Sequence, residues 1–286
     1  MAVLRLAALV MVLLGAFVFG APLQYLARRR GWRLAAHMPV LFSSCLCGIL
    51  RINIRSHGAP VARAPQLIVA NHVSWTDILV LGTSKPLCFL AKHEVASWPV
   101  LGRLARLQGT VFVDRQRPGG VRAVNAQMAR RMGSGESVVL FAEATTSDGT
   151  RVHRFRSSHF AAASDLMHQD PQVSHVVVQP VAIVYARRNG LLLGRMGRAD
   201  LAWYGEMTML PHLWSLLCGG PVDCEVVFVQ PIAYQRGENR KVITRRAEQS
   251  VRQASTAAIG GRLPSLLGNE FAGQPRVSIL LNTETA

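Results

Sequence analysis

An uninterrupted apolar segment near the start of the chain places the strongest limit on how this protein can fold. Residues 6–27 carry no charged side chain. As a helix rising about 1.5 Å per residue, they are long enough to cross a hydrocarbon core of about 30 Å. Arg28, Arg29 and Arg30 follow directly, which predicts that this end stays in the cytoplasm. We therefore expect an N-terminal anchor in a bacterial-type inner (cytoplasmic) membrane, with the rest of the chain on its cytoplasmic face.

The same segment has a second interpretation, a cleaved signal peptide. Arg5 can supply its basic start, and the letters FGA at 19–21 resemble a cleavage site. Pro22 follows directly and the apolar run continues past it, so we favour the anchor. A second apolar segment, residues 34–55, is interrupted by Pro39. It can span, lie in the membrane interface, form a re-entrant pair with the first segment, or be a core helix.

The chain divides into four parts by composition. Residues 1–55 are assigned to the membrane anchor and interfacial helix, and residues 56–65 read as a linker. In residues 66–261, short β-branched runs alternate with helix-like stretches, which predicts an α/β domain with a mostly parallel central sheet flanked by helices. Residues 262–286 follow no pattern and are expected to be a loosely ordered tail. The expected strands cover residues 66–70, 87–91, 110–114, 137–142, 175–185 and 224–232, and the expected helices cover residues 75–83, 98–107, 119–132, 157–169 and 240–258.

Charge and motif content exclude several classes of protein. The net charge of +16 suits nucleic acid, anionic lipid or an acidic carrier protein. The basic residues are scattered, however, and no nucleic-acid-binding module is recognisable, so no nucleic-acid partner is expected. The five cysteines are an odd number without a CxxC pair, which argues against a disulfide framework or zinc site. The sequence also lacks GxSxG, HExxH and P-loop motifs. Their absence argues against a serine hydrolase, a zinc protease and a nucleotide enzyme, respectively.

The stretch ANHVSWTDILV, residues 70–80, contains the best candidate for catalysis. His72 and Asp77 lie between an expected strand and an expected helix. Five residues apart, they would point about 140° from each other on one helix. They can meet if His72 lies in the loop before the helix and Asp77 in its first turns. The pair then has the arrangement of a general base oriented by a carboxylate, although a structural histidine can have the same spacing.

Other strands also end in polar residues. GTVFVDR ends at Arg115, which suits an anionic head group or a carrier phosphate, or only an ion pair with Asp114. VVLFAEATTSDG places Glu143 after a strand, where it can orient a polar group of an acceptor or serve only as a loop carboxylate. In VVVQPVAIVY, Pro180 can line the same cleft or mark a sheet edge or bulge.

The order and spacing of these blocks resemble the glycerolipid and lysophospholipid acyltransferase family, which includes the lysophosphatidic acid acyltransferases. That family has NHxxxxD, a strand ending in Arg, FPEGTR and a VPV-like strand. Here the blocks read NHVSWTD, GTVFVDR, FAEATTS and VQPVAI, within residues 66–185. The resemblance implies a membrane-bound O-acyltransferase that uses an acyl carrier protein or coenzyme A thioester and no tightly bound cofactor.

The same resemblance implies roles for individual residues. His72 is the base and Asp77 its orienting partner, while Arg115 and Glu143 help to hold the acceptor lipid or its phosphate. The residues expected to contact the acceptor are Asn71, Arg115, Glu143, Thr145, Thr146 and Arg151.

The third block departs from the family pattern. Ala142, Ala144 and Thr146 replace its proline, glycine and arginine. Threonine offers no charge and no bidentate fork for a phosphate. Either Arg151, Arg154 or Arg156 takes over from the following loop, or the acceptor has no phosphate at that place. The stretches EATTSDGTRVHRFRSSHF and AWYGEMTMLPHLW look closest to the lyso-ornithine lipid O-acyltransferase branch. We expect that acceptor, with lysophosphatidate as the alternative and an inactive membrane or basic binding protein as a remote one.

Overall fold

The computed structural model of the chain describes most of its residues. The expected site residue Arg115 and the tail from residue 264 onward lie outside the described part. The described residues are 1–32, 34–61, 65–92, 96–97, 101–113 and 119–263.

A long helical stretch, Ala2–Arg29, begins the chain. It consists of α1 (Ala2–Gly15), a π-helical turn and α2 (Ala21–Arg29). Its most apolar window has a mean hydropathy of 2.5 and is largely exposed. By length and composition it is the one helix in the described part of the chain that is able to cross a membrane. α3 (Leu34–Ile49) follows and packs against it, with Pro39 inside the helix.

The remaining elements form a nine-stranded mixed sheet with helices on both faces. The strand order is β1-β8-β6-β2-β5-β3-β4, with β7 and β9 each pairing with β6. The strands are β1 (Ile52–His57), β2 (Gln66–Ala70), β3 (Cys88–Lys92), β4 (Val111–Val113), β5 (Ser137–Phe141), β6 (His175–Arg188), β7 (Leu191–Leu192), β8 (Val222–Phe228) and β9 (Ile232–Gln235). The described helices after α3 are α4 (Thr76–Gly82), α5 (Leu101–Gln108), α6 (Gly120–Gly133), α7 (Ala161–Gln169), α8 (Arg195–Ala199), α9 (Met209–Cys218) and α10 (Arg240–Ile259).

The core lies on both faces of the sheet. All five residues of β2 are buried, and all of them except Gln66 are apolar. Leu67 and Val69 pack on the face covered by α6, α7 and α10. Ile68 and Ala70 pack on the opposite face, against α3, α4 and α9. This alternation is what a central strand covered by helices on both sides requires.

Five of the strand pairings are parallel and three are antiparallel, which confirms the expected α/β fold with a mostly parallel sheet. All antiparallel pairings involve β6. Pro180 lies where the antiparallel partner of β6 changes from β9 to β8. A residue without a backbone N–H is tolerated there because the ladder is already interrupted.

The structure adds elements that the pattern did not predict. β1 crosses the expected boundary between anchor and linker, and pairs in parallel with β8 at the sheet edge. Its polar sequence, INIRSH, lacks the apolar run used to recognise strands, because an edge strand faces solvent. The expected strand at residues 224–232 is two strands, β8 and β9, separated at Pro231.

The N-terminal helical stretch contacts the α/β domain at both of its ends. Near its start, Arg5 Nη1 donates to the carbonyl oxygens of Leu217 (2.9 Å) and Gly219 (3.1 Å). Midway, the Arg103 guanidinium lies 5.4 Å from the centre of the Phe17 ring. Near its end, Arg28 lies against Gly109, where an added Cβ would come within 3.0 Å of Nη2. The helix therefore lies along the domain instead of projecting from it.

Candidate active site

The candidate site forms where two neighbouring parallel strands end. β2 ends at Ala70 and β5 at Phe141, opposite each other in register. The ladder continues for one residue, with Ala142 N donating to Ala70 O at 3.1 Å. His72 and Glu143 follow these strands, so both lie at the same edge of the sheet, where open α/β sheets form their sites.

His72 and Asp77 contact each other, in the loop-and-helix arrangement that the sequence allowed. His72 lies in the loop after β2, and Asp77 lies in the first turn of α4. The imidazole Nδ1 is 2.8 Å from Asp77 Oδ2. The same oxygen accepts backbone N–H bonds from Val73 (2.7 Å) and Ser74 (3.0 Å). The loop thus wraps around the carboxylate, and three donors converge on one oxygen.

The tautomer of His72 follows from these contacts. An oxygen that accepts two backbone N–H bonds requires the third donor, Nδ1, to carry its proton. The lone pair of the ring is then on Nε2, which has no hydrogen-bond partner within the described residues. The side chain is 18% exposed, whereas Asp77 is fully buried. The ring stacks on Phe141 with a centroid distance of 4.0 Å, which fixes the direction of Nε2.

A second layer of side chains holds Asp77 from behind, and sequence reasoning missed it. Tyr185 on β6 donates from its hydroxyl to Asp77 Oδ1 at 2.7 Å, and its oxygen lies 2.6 Å from Thr76 Oγ1. Burial raises the pKa of Tyr185 well above its usual value, so the phenol stays a donor. No local sequence pattern around Tyr185 indicates this role, because β6 comes close to the loop only through the arrangement of the strands in the sheet.

Glu143 is buried and faces the backbone. Its Oε1 accepts from His72 N at 2.9 Å, and its Oε2 accepts from His153 N at 3.0 Å. Burial raises the pKa of this carboxyl to about 7, although both N–H bonds act in the opposite direction. Glu143 therefore links the loop that carries His72 to the segment after residue 150.

Asn71 also serves the backbone. Its amide donates to Ile183 O at 2.9 Å, and its Oδ1 accepts from Ile183 N at 2.8 Å. β6 continues past the end of β2, so this side chain makes the two bonds that a further residue of β2 would have made. These two bonds position the loop, and the expected contact of Asn71 with the acceptor stays a prediction.

The other expected acceptor contacts lie on the loop after β5. Thr145 is exposed, Thr146 is half-buried and Arg151 is exposed. Arg151 lines a cavity of about 460 Å³. Across the part of the chain that the structure describes, no group of three His, Cys, Asp or Glu side chains is arranged to hold a metal ion.

Known proteins share both the sequence and the fold. A family model described as Acyltransferase matches residues 53–184. A lyso-ornithine lipid O-acyltransferase of Brucella abortus (strain 2308) is 39% identical over 243 residues, 84% of this chain and 90% of that protein. The chain belongs to the acyltransferase family. A lyso-ornithine lipid O-acyltransferase of Rhizobium meliloti (strain 1021) is 40% identical over 226 residues, 79% of this chain and 77% of that protein.

The fold of this acyltransferase is also found in a crystal structure. It matches the 1-acyl-sn-glycerophosphate (LPA) acyltransferase PlsC from Thermotoga maritima with a TM-score of 0.63 and 17% identity. The match covers 89% of this chain and 94% of that one. The family, the enzyme class and the fold predicted from the sequence are thereby confirmed.

The altered third block of this acyltransferase contains a residue with a positive φ. Ala144, which stands where the family has glycine, has φ of +60°. Its N–H donates to Phe141 O at 3.2 Å and closes the turn after β5. The left-handed region favours glycine, so the alanine is accommodated at a cost of about 1–2 kcal/mol. Alanine therefore adopts, at this turn after β5, a backbone conformation that favours glycine.

Proposed function

We propose that this acyltransferase moves an acyl chain from an acyl carrier protein or coenzyme A thioester to the hydroxyl group of lyso-ornithine lipid. The observation that carries the chemistry is the open Nε2 of His72, with Nδ1 held by buried Asp77. Two relatives with 39–40% identity and the name lyso-ornithine lipid O-acyltransferase support the acceptor.

The reaction needs no covalent intermediate on the enzyme. The oxygen of the acceptor hydroxyl attacks the thioester carbonyl carbon, and His72 Nε2 accepts the proton of that hydroxyl. The imidazolium that forms is stabilised by the Asp77 carboxylate. When the tetrahedral intermediate collapses, the carbon–sulfur bond breaks and the thiolate takes the proton from Nε2. An ester forms, a thiol leaves, and His72 is neutral again.

The other site residues have supporting roles in this proposal. Asn71 and Glu143 hold the loop on which the base lies. Thr145 and Thr146 border the acceptor, and Arg115 supplies positive charge to an anionic group of either substrate. An arginine can bind carboxylate or phosphate as a bidentate fork.

Lysophosphatidate is the second candidate acceptor, because Arg151 lies close to the altered block and can replace its missing arginine. Thr146→Arg and Thr146→Val distinguish the two acceptors. We expect Thr146→Arg to raise activity on lysophosphatidate and Thr146→Val to leave it unchanged. If neither substitution changes the activity on lysophosphatidate, the argument from the head group fails.

We also propose that the enzyme works at a membrane, on its cytoplasmic face. The helix Ala2–Arg29 is about 42 Å long at 1.5 Å per residue, and both of its ends contact the α/β domain. This supports a helix whose exposed apolar side is immersed along one leaflet. The net charge of +16 suits both an anionic lipid surface and an acidic carrier protein. Tags at the two ends of the chain are expected to be accessible from the same side, and accessibility from opposite sides would require a spanning helix.

The test of the reaction is acyl transfer by membranes that contain this protein. Labelled acyl carrier protein is supplied with lyso-ornithine lipid and lysophosphatidate side by side. His72→Ala is expected to abolish transfer, and His168→Ala, which changes an exposed histidine on α7, is the matched control. Transfer to neither lipid, or equal transfer by wild type and His72→Ala, would contradict the proposal.

A further inference from the structure

The cavity beside the site has an unusual charge distribution. Asp148, Thr150 and Arg151 line it from the loop after β5, and Arg195 and Arg198 line it from α8. Three guanidinium groups and one carboxylate therefore border a space of about 460 Å³. Such a lining suits a small polar group and not an acyl chain.

Both walls of the cavity are fastened to the loop that carries the base. On one side, Ser147 N donates to His72 O at 2.8 Å. On the other side, Trp203 N donates to Val73 O at 2.9 Å. Gly149 lies so close to Val73 that an added Cβ would come within 3.1 Å of its Cγ1. Both segments that line the cavity are therefore hydrogen-bonded to the loop that carries His72.

The carboxylate in the cavity has one committed oxygen and one free oxygen. Asp148 Oδ1 accepts from Thr150 N (2.9 Å) and Thr150 Oγ1 (2.6 Å). Oδ2 has no hydrogen-bond partner in the described part of the chain. The hydrogen bond from the Thr150 hydroxyl, with further contributions from the Thr150 N–H and the charges of Arg195 and Arg151, holds the pKa of Asp148 below its usual value. The group is thus an anion with an acceptor to offer.

The arginines also keep unused donors. No carboxylate among the described residues forms an ion pair with Arg151, Arg195 or Arg198. Arg198 Nη1 donates to Leu193 O. Its Nε is buried and has no partner in the described part of the chain. A buried N–H without an acceptor is unfavourable.

We propose that this cavity binds the zwitterionic head group of the acceptor, with its arginines holding a carboxylate and Asp148 holding an ammonium group. The proposal rests on the proposed function. Ornithine is a diamino acid, and with one amino group in an amide bond it keeps a carboxylate and an ammonium group. The carboxylate matches the guanidinium forks, and the ammonium group matches the free oxygen of Asp148.

Asp148 also gives the site a means of rejecting other acceptors. A phosphate head group would satisfy the arginines but would face the like charge of Asp148. Selectivity of this kind, from a repulsive group placed among attractive ones, discriminates between ligands of similar size. The arginines of the cavity further explain how Thr146 can replace the family's arginine without loss of anion binding.

The test compares KM for the two lipids in purified wild-type enzyme and in cavity variants. Asp148→Asn keeps the Oδ1 acceptor for Thr150 and removes the charge. It is expected to raise KM for lyso-ornithine lipid about tenfold, as for one lost charge-assisted hydrogen bond, and to lower KM for lysophosphatidate. Arg195→Gln is expected to raise KM for both. Asp165→Asn and Arg245→Gln are matched controls outside the cavity and should change neither.

The outcomes separate the cavity from the proposed function. If the wild type acylates lyso-ornithine lipid and Asp148→Asn leaves the ratio of the two KM values unchanged, the cavity assignment is overturned while the function stands. If the wild type acylates only lysophosphatidate, the proposed acceptor fails. Equilibrium binding of lyso-ornithine lipid micelles by His72→Ala then decides the cavity. Binding weakened by Asp148→Asn supports it, and binding that is absent or unaffected refutes it.

Discussion

Asparagine at position 77 separates the charge of the carboxylate from its hydrogen bonds. In the wild type, Asp77 Oδ2 accepts from His72, Val73 and Ser74, while Oδ1 accepts from Tyr185. An amide NH₂ cannot occupy the Oδ2 position, because it would face two backbone N–H donors. Asp77→Asn must therefore place its oxygen toward the loop and its nitrogen toward Tyr185.

The surroundings can accommodate that orientation. Tyr185 can turn its hydroxyl proton to Thr76 Oγ1, which lies 2.6 Å away, and accept from the new amide. All four contacts at position 77 are then made, and we expect a change in the free energy of unfolding of at most about 1 kcal/mol. His72 Nδ1 also keeps its acceptor, so the tautomer is unchanged.

What the variant loses is the charge opposite the imidazolium. With Nδ1 and Oδ2 2.8 Å apart, the charge centres are about 4 Å apart, and the attraction is about 4 kcal/mol at an effective dielectric constant of 20. Each 1.4 kcal/mol corresponds to about a factor of ten. We therefore expect kcat of Asp77→Asn to fall about 1,000-fold while the melting temperature stays within a few degrees.

The assay is steady-state acyl transfer together with thermal unfolding of the same preparations. Tyr185→Phe sharpens it, because in the Asp77→Asn background the amide nitrogen would lose its acceptor. The double variant is expected to be destabilised by about 1–3 kcal/mol more than Asp77→Asn. An Asp77→Asn enzyme that keeps more than a tenth of its activity, or unfolds as readily as Asp77→Ala, would refute the reasoning.

Three further changes test other parts of the structure. Burial raises the pKa of Glu143 to about 7, so its stabilising contribution is present below pH ~4.5 and is lost as the pH rises through 7. Urea unfolding across this range should show that the wild type loses about 3 kcal/mol of its free energy of unfolding relative to Glu143→Gln. A difference between the two proteins that does not depend on pH would contradict this. Ala144→Gly relieves a φ of +60° and should stabilise by about 0.5–1 kcal/mol; a lower melting temperature would argue against strain. Asn239→Ala removes the cap that accepts from Lys241 N at the start of α10 and should cost about 1 kcal/mol with kcat unchanged, whereas altered kcat would connect α10 to the site.

The strand–loop–helix unit around the base could be predicted well from sequence. The apolar run of β2, the loop with His72 and the turn that brings Asp77 back within 2.8 Å are all contained in residues 66–82. The side-chain periodicities of strands and helices act over such short stretches. The long apolar helix at the start of the chain is similarly local, as are most strand and helix positions.

Contacts across the sheet were decided only by the tertiary structure. Tyr185 donates a hydrogen bond to Asp77, which lies 108 residues away in the chain. The Asn71 amide bonds to the backbone of Ile183, 112 residues away. These contacts depend on how far β6 extends past β2. That register is determined by the packing of the whole sheet and not by any local pattern.

By itself, then, the amino-acid sequence determined the contact of His72 with Asp77, the family blocks and the long apolar helix, because each depends on neighbours along the chain. The tertiary structure decided what surrounds them. It showed that Asn71 and Glu143 serve the backbone, that the first helix contacts the domain at both ends, and that α8 brings Arg195 and Arg198 to the loop of Asp148. Each of these depends on which distant segments pack side by side, and that choice is made by burial of the common core.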